Sequence, residues 1–130
     1  MKRKVGLWID HRKAVIISIT GEFEEIKTII SGMEKHVRFS GEAQANTEED
    51  ILDRRFTNHL NKYYDEVIAF IRNADTIWVI GPGEAKGELK RRIEDENIAD
   101  QSIDIETVDK MMDSQIASKV RQYFQQSDLK

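Results

Sequence analysis

Apolar residues recur along this chain in two rhythms, one that suits strands and one that suits helices. The stretches "KVGLWID" and "AVIISIT" are rich in β-branched residues and apolar on both alternations, the pattern of strands covered on both faces. Only the short run from Asp10 to Lys13 separates them, so they are expected to pair as a hairpin. Gly21 turns the chain into "EFEEIKTII", where Glu22, Glu24, Glu25 and Lys27 interrupt the apolar positions. This third strand is expected to be half exposed and close to a sheet edge. The next segment, "SGMEKHVRFSGEAQAN", has no period, and a loop of that length in a compact domain is a candidate for function.

From Thr47 the rhythm becomes helical. Leu52, Phe56, Leu60, Tyr63, Val67, Phe70 and Ile71 recur every three or four residues up to about Asn73, one apolar stripe on a long helix. Acids at Glu48, Glu49 and Asp50 suit the start of that helix. "TIWVI" reads as a short buried strand. "GPG" then breaks the chain, and a helix follows with Ala85, Leu89 and Ile93 on one stripe. "SIDIETV" alternates strictly, which predicts a strand with one wet face. A last helix starts near Asp113 and carries Ile116, Val120 and Phe124 inward.

The order is β-β-β-α-β-α-β-α. Strands joined by helices are parallel with right-handed crossovers. With the two half-polar strands at the edges, the first strand belongs in the middle, beside the second and the fourth. The fold class predicted is α/β, a three-layer, five-stranded mixed sheet of order 3-2-1-4-5 in the ribonuclease H-like arrangement, as one domain over residues 1–130.

Composition narrows the functional classes. The chain has 130 residues, 39% hydrophobic and 34% charged, with a net charge of −4, so nucleic-acid contact would have to come from a local patch. The absence of cysteine excludes disulfides and thiolate metal sites and fits a cytoplasmic setting. Asp10, His11, Arg12 and Lys13 interrupt the first apolar run too early for a signal peptide, and no stretch approaches a membrane span. His11, His36 and His59 lack ligand spacing, so no metal is expected, and no cofactor is implied.

The corner at Gly81, Pro82 and Gly83 raises the question of a phosphate cradle. A dinucleotide fingerprint would need a third glycine where Lys86 stands, and Glu84 puts a negative charge at the helix start. A tight strand-to-helix corner is the better account, with Gly83 expected to supply unusual backbone angles. Gly87 stays odd, because glycine inside a helix costs about 1 kcal/mol against alanine and implies close packing or an approaching partner. Asp10 ends the first strand, where a nuclease would hold a metal-binding carboxylate, and is otherwise a turn residue. Two groups of cations are candidates for RNA phosphates: Lys35, Arg38, Arg54, Arg55 and Lys62 on the loop and long helix, and Lys86, Lys90 and Arg91 after the corner.

"KVGLWIDHRKAVIISI", "DRRFTNHLNKYYDEVIAFIRNADTIWVIGPGEAKGELKRRI" and "ETVDKMMDSQIASKV" together resemble the middle domain of archaeal and eukaryotic class 1 peptide release factors and of the ribosome-rescue protein Pelota, and most of all its stand-alone bacterial relatives. The resemblance spans residues 4 to 124. It implies the translation-machinery variant of the ribonuclease H-like fold and a role near the ribosome; the partner expected is ribosomal or transfer RNA or a translation-associated protein. Release factors of this type carry Gly-Gly-Gln on the loop before the long helix, whereas this chain has Gly41, Glu42, Ala43 and Gln44. Gln44 lacks the paired glycines, so the resemblance does not imply hydrolysis, and a binding module without catalysis is the expectation. A metal-dependent nuclease through Asp10, a peptidyl-tRNA hydrolase through Gln44, and a homo-oligomeric or protein-binding module using an exposed edge strand are the alternatives.

Overall fold

The computed structural model describes residues 2–31, 49–96 and 102–128, without the side chains of 49–57, 102, 127 and 128. Strands β1 (Arg3–Ile9), β2 (Lys13–Thr20) and β3 (Phe23–Ile30) are followed by helix α1 (Glu49–Ile71). Strand β4 (Thr76–Gly81), helix α2 (Ala85–Asp95), strand β5 (Ser102–Thr107) and helix α3 (Asp113–Asp128) complete the order. The sheet runs β3-β2-β1-β4-β5, the order expected. β1 pairs antiparallel with β2 and parallel with β4, which pairs parallel with β5, and β2 pairs antiparallel with β3.

Apolarity on both alternations of β1 and β2 has the predicted consequence, since each face of the sheet is covered. Val5, Leu7, Ile9, Ala14 and Ile16 face α1 and α2, where Tyr63, Val67, Ile71, Leu89 and Ile93 meet them. Trp8, Val15 and Ile17 face the other way, against Ile116, Val120 and Phe124 of α3. Each fully buried aliphatic side chain contributes about 1.5–3 kcal/mol, so the centre of the fold is where β1 lies. Gly6 permits the close seat of α3: a Cβ there would come within 2.6 Å of the Val120 methyls.

The edges depart from the simple pattern. On β3 only Ile29 is buried, and Phe23, Ile26 and Ile30 are exposed, so this strand is wetter than a half-exposed one. On β5, Ile103 packs on the core but Ile105 remains 41% exposed. On the opposite face of β5, Asp104 accepts a 2.8 Å hydrogen bond from the Tyr123 hydroxyl, whose ring stacks on Trp78 at 4.0 Å. Among the described residues no helix is long and apolar enough to cross a membrane.

Candidate functional site

β1, β3 and β4 run in the same direction, so their carboxyl ends lie at one end of the sheet. There the β1–β2 turn, Ser31, the middle of α1 and the start of α2 converge. Asp10 closes the turn: its Oδ1 accepts the backbone N–H groups of Arg12 at 2.7 Å and Lys13 at 2.9 Å. Its own carbonyl accepts from the Tyr63 hydroxyl at 2.9 Å. Asp10 is thus a turn residue with one carboxylate oxygen committed to backbone. Ser31 is buried; its hydroxyl donates to the His11 carbonyl at 2.6 Å, and its own carbonyl meets His59 Nε2.

Beside this turn lies a polar trio. The Tyr64 hydroxyl donates to Glu88 Oε1 at 2.5 Å, and His11 Nε2 stands 3.0 Å from the same oxygen. Burial raises the Tyr64 pKa and the bond to Glu88 raises it further; burial and the Asp10 charge raise that of Tyr63. Both phenols therefore stay protonated and act as donors at neutral pH. Tyr64 and Glu88 open onto a groove of about 810 Å³ between α1 and α2, which Gly83, Gly87, Arg91 and Arg92 also line. Arg92 is spoken for: it pairs with Asp65 and donates to Asn61 Oδ1 at 3.1 Å.

The glycine corner resolves into three different positions. At Gly81 a Cβ would stand 2.2 Å from the Ile9 carbonyl oxygen, so the closeness of β1 and β4 requires glycine there. Gly83, expected to supply unusual backbone angles, has no positive φ; Gly21 has one, at φ 61°, in the β2–β3 turn. At Gly87 a Cβ would meet nothing within 4 Å, so close packing does not explain that residue. Glu84 begins α2 without a side-chain cap. Lys86 Nζ donates to the Gly83 carbonyl at 2.5 Å.

The predicted site residues divide accordingly. Lys35, Arg38 and Gln44 lie outside the described residues, as do the side chains of Arg54 and Arg55, whose backbone belongs to α1. Lys62 is exposed on α1, and Arg91 is exposed on α2 with Lys86 and Lys90 half-buried. Among the described residues Lys62, Lys90 and Arg91 make no ion pair, and no group of three or more histidines and acids is placed to hold a metal. The Tyr64–Glu88–His11 trio was beyond sequence reading, because its members are separated by 24 and 77 positions from Glu88 and follow no motif.

No family model matches this sequence, and no curated protein matches it. Solved structures do resemble the fold. The Pelota protein of Thermoplasma acidophilum superposes with a TM-score of 0.52 at 16% identity, over 85% of this chain and 28% of that one. An archaeal translation termination factor gives 0.46 at 13% identity, over 98% and 40% of the two chains. A Ppx/GppA protein of Aquifex aeolicus gives 0.31 at 16% identity, over 80% and 35%. This chain thus spans well under half the length of each. At such identity the likeness to Pelota is one of fold.

Proposed function

We propose that this chain is a translation-associated binding module of the release-factor middle-domain type, which holds ribosomal or transfer RNA through its phosphates and performs no reaction. A contrast among cations carries the reading. Arg72, Arg92 and Arg121 are tied to Glu96, Asp65 and Glu24, whereas Lys62, Lys90 and Arg91 have no ion pair among the described residues. An unpaired cation in a chain of net charge −4 is available to neutralise a phosphate, and each such contact releases counterions.

The Pelota-like fold supports the choice of the ribosome as partner. It assigns no chemistry, since activities belong to sites and not to folds. Two features support binding without hydrolysis: Gln44 lacks paired glycines beside it, and Asp10 is engaged in its turn. In this reading Lys35, Arg38, Arg54, Arg55 and Lys62 meet phosphates from the α1 side, with Lys86, Lys90 and Arg91 from the α2 side, in the cytoplasm.

The test is a salt series of fluorescence-anisotropy titrations with transfer RNA and a ribosomal RNA fragment. Affinity falls log-linearly with salt, with a slope of roughly −0.7 to −0.9 per phosphate contact. Combined Lys90→Glu and Arg91→Glu substitution lowers affinity and flattens the slope by about two contacts. Absence of binding at low salt, or a slope unmoved by reversal of Lys62, Lys90 and Arg91 together, contradicts the proposal.

A further inference from the structure

β3 ends the sheet, and among the described residues nothing pairs with its outer side. Its geometry shows which backbone groups are left over. Ser31 N–H donates to the Arg12 carbonyl at 2.8 Å, and in the β2–β3 register Ile29, Lys27, Glu25 and Phe23 follow as the residues that exchange bonds with β2. The N–H and C=O groups of Glu24, Ile26, Thr28 and Ile30 therefore point outward. Edge strands are ordinarily shielded by brevity, bulges, proline or a fence of charge. This one runs eight residues without proline and exposes Phe23 at 84%, Ile26 at 53% and Ile30 at 74%. Of its charges, Glu24 is folded back onto Arg121 through paired bonds of 2.6 and 2.8 Å.

We infer that β3 is a self-complementary pairing edge, joining a second copy of this chain antiparallel about a two-fold axis through Ile26. That register alone sets Glu25 of each copy opposite Lys27 of the other; it pairs residues 23–29 within the strand and leaves Ile30 opposite Glu22 of the turn. It also brings Ile26 against Ile26 and places Phe23 beside Ile29 of the second copy. The outward groups of Glu24, Ile26 and Thr28 are then the ones that meet, as the ladder requires. Centring on Lys27 would oppose two lysines, which is destabilising. Centring on Thr28 would leave Phe23 without a partner in the strand and Lys27 against Ile29. Opposite charge directly across the ladder thus selects both the partner and the register. The edge is narrower than a standard interface, so association in roughly the micromolar range is expected.

Sedimentation equilibrium over a micromolar concentration series tests this. The wild-type chain reversibly forms a dimer; Lys27→Glu weakens dimerisation about tenfold, and adding Glu25→Lys to it restores the wild-type constant. The chain has no cysteine, so Ile26→Cys reads the register: in a bonded antiparallel pair the Cα atoms stand about 5.5 Å apart, within disulfide range. Mild oxidation links Ile26→Cys chains covalently and leaves Ile30→Cys chains monomeric. A chain that stays monomeric throughout the series, because residues 32–48 or a different protein occupy the edge, overturns the inference. So does a dimer indifferent to Lys27→Glu, or one that Ile30→Cys links more readily than Ile26→Cys.

Discussion

Alanine at Gly81 and at Gly87 should change stability in opposite directions, although the two glycines lie in one short phrase. At Gly81 the new Cβ would sit 2.2 Å from the Ile9 carbonyl oxygen, about an ångström inside normal contact. The Cβ is fixed rigidly to the β4 backbone and the oxygen belongs to the backbone of β1, so relief requires spreading β1 from β4. Overpacking costs typically 1–3 kcal/mol, and with no side chain free to give way the cost lies at or above about 3 kcal/mol. At Gly87 the Cβ meets nothing within 4 Å, and the helix gains about 0.5–1 kcal/mol from the replacement. For a chain of this length 1 kcal/mol shifts Tm by roughly 4 °C. Gly81→Ala should therefore lower Tm by about 12 °C or more, and Gly87→Ala should raise it by about 2–4 °C. Calorimetry with urea unfolding as a check on cooperativity decides it. A destabilised Gly87→Ala, or a tolerated Gly81→Ala, refutes the account of the corner.

Three further outcomes follow from the same geometry. Gly6→Ala should cost about 1–3 kcal/mol through the Val120 methyls, and in a double-mutant cycle Val120→Ala should recover most of that cost; additive effects would show that α3 does not seat there. All three tyrosines have raised pKa values, Tyr123 up to about 12 through burial and its bond to Asp104. Their protonated form is favoured in the fold, so that stability is present below about pH 10, the unfolded value, and is lost as pH rises past it. A spectrophotometric titration of the native protein should accordingly show no tyrosinate step near pH 10, and such a step would contradict the burial of these rings. Glu24 is held below its ordinary pKa chiefly by the hydrogen bond from Arg121; its stabilising share is present above about pH 4.3 and fades as pH falls, so Arg121→Ala should abolish that part of the acid dependence.

Legibility in the sequence followed the size of the physical signal. β1 and β2 are buried on both faces, and continuous runs of Ile and Val announce that directly; the Ala85, Leu89 and Ile93 stripe did the same for α2. Sheet order then came from connectivity, since half-polar strands belong at edges. Gly81 and Gly87 look alike in sequence, yet one is demanded by a carbonyl on another strand and the other faces open space. That difference exists only after β1 and β4 are juxtaposed. The Tyr64–Glu88–His11 trio was hidden for the same reason. Lys62, Lys90 and Arg91 were visible as cations, but their lack of an ion pair among the described residues depends on which acids the helices bring near, and Arg92, adjacent to Arg91, turns out to be paired.

The most direct measurement of the central claim is cosedimentation of the protein with purified ribosomes at low and high salt, with Lys62→Glu, Lys90→Glu and Arg91→Glu combined as the comparison. The account predicts that the wild-type protein pellets with ribosomes at low salt and is released as salt rises, and that the triple variant, folded by circular dichroism, stays in the supernatant throughout. A wild-type protein that never pellets, or a variant that pellets as well as the wild type, contradicts it.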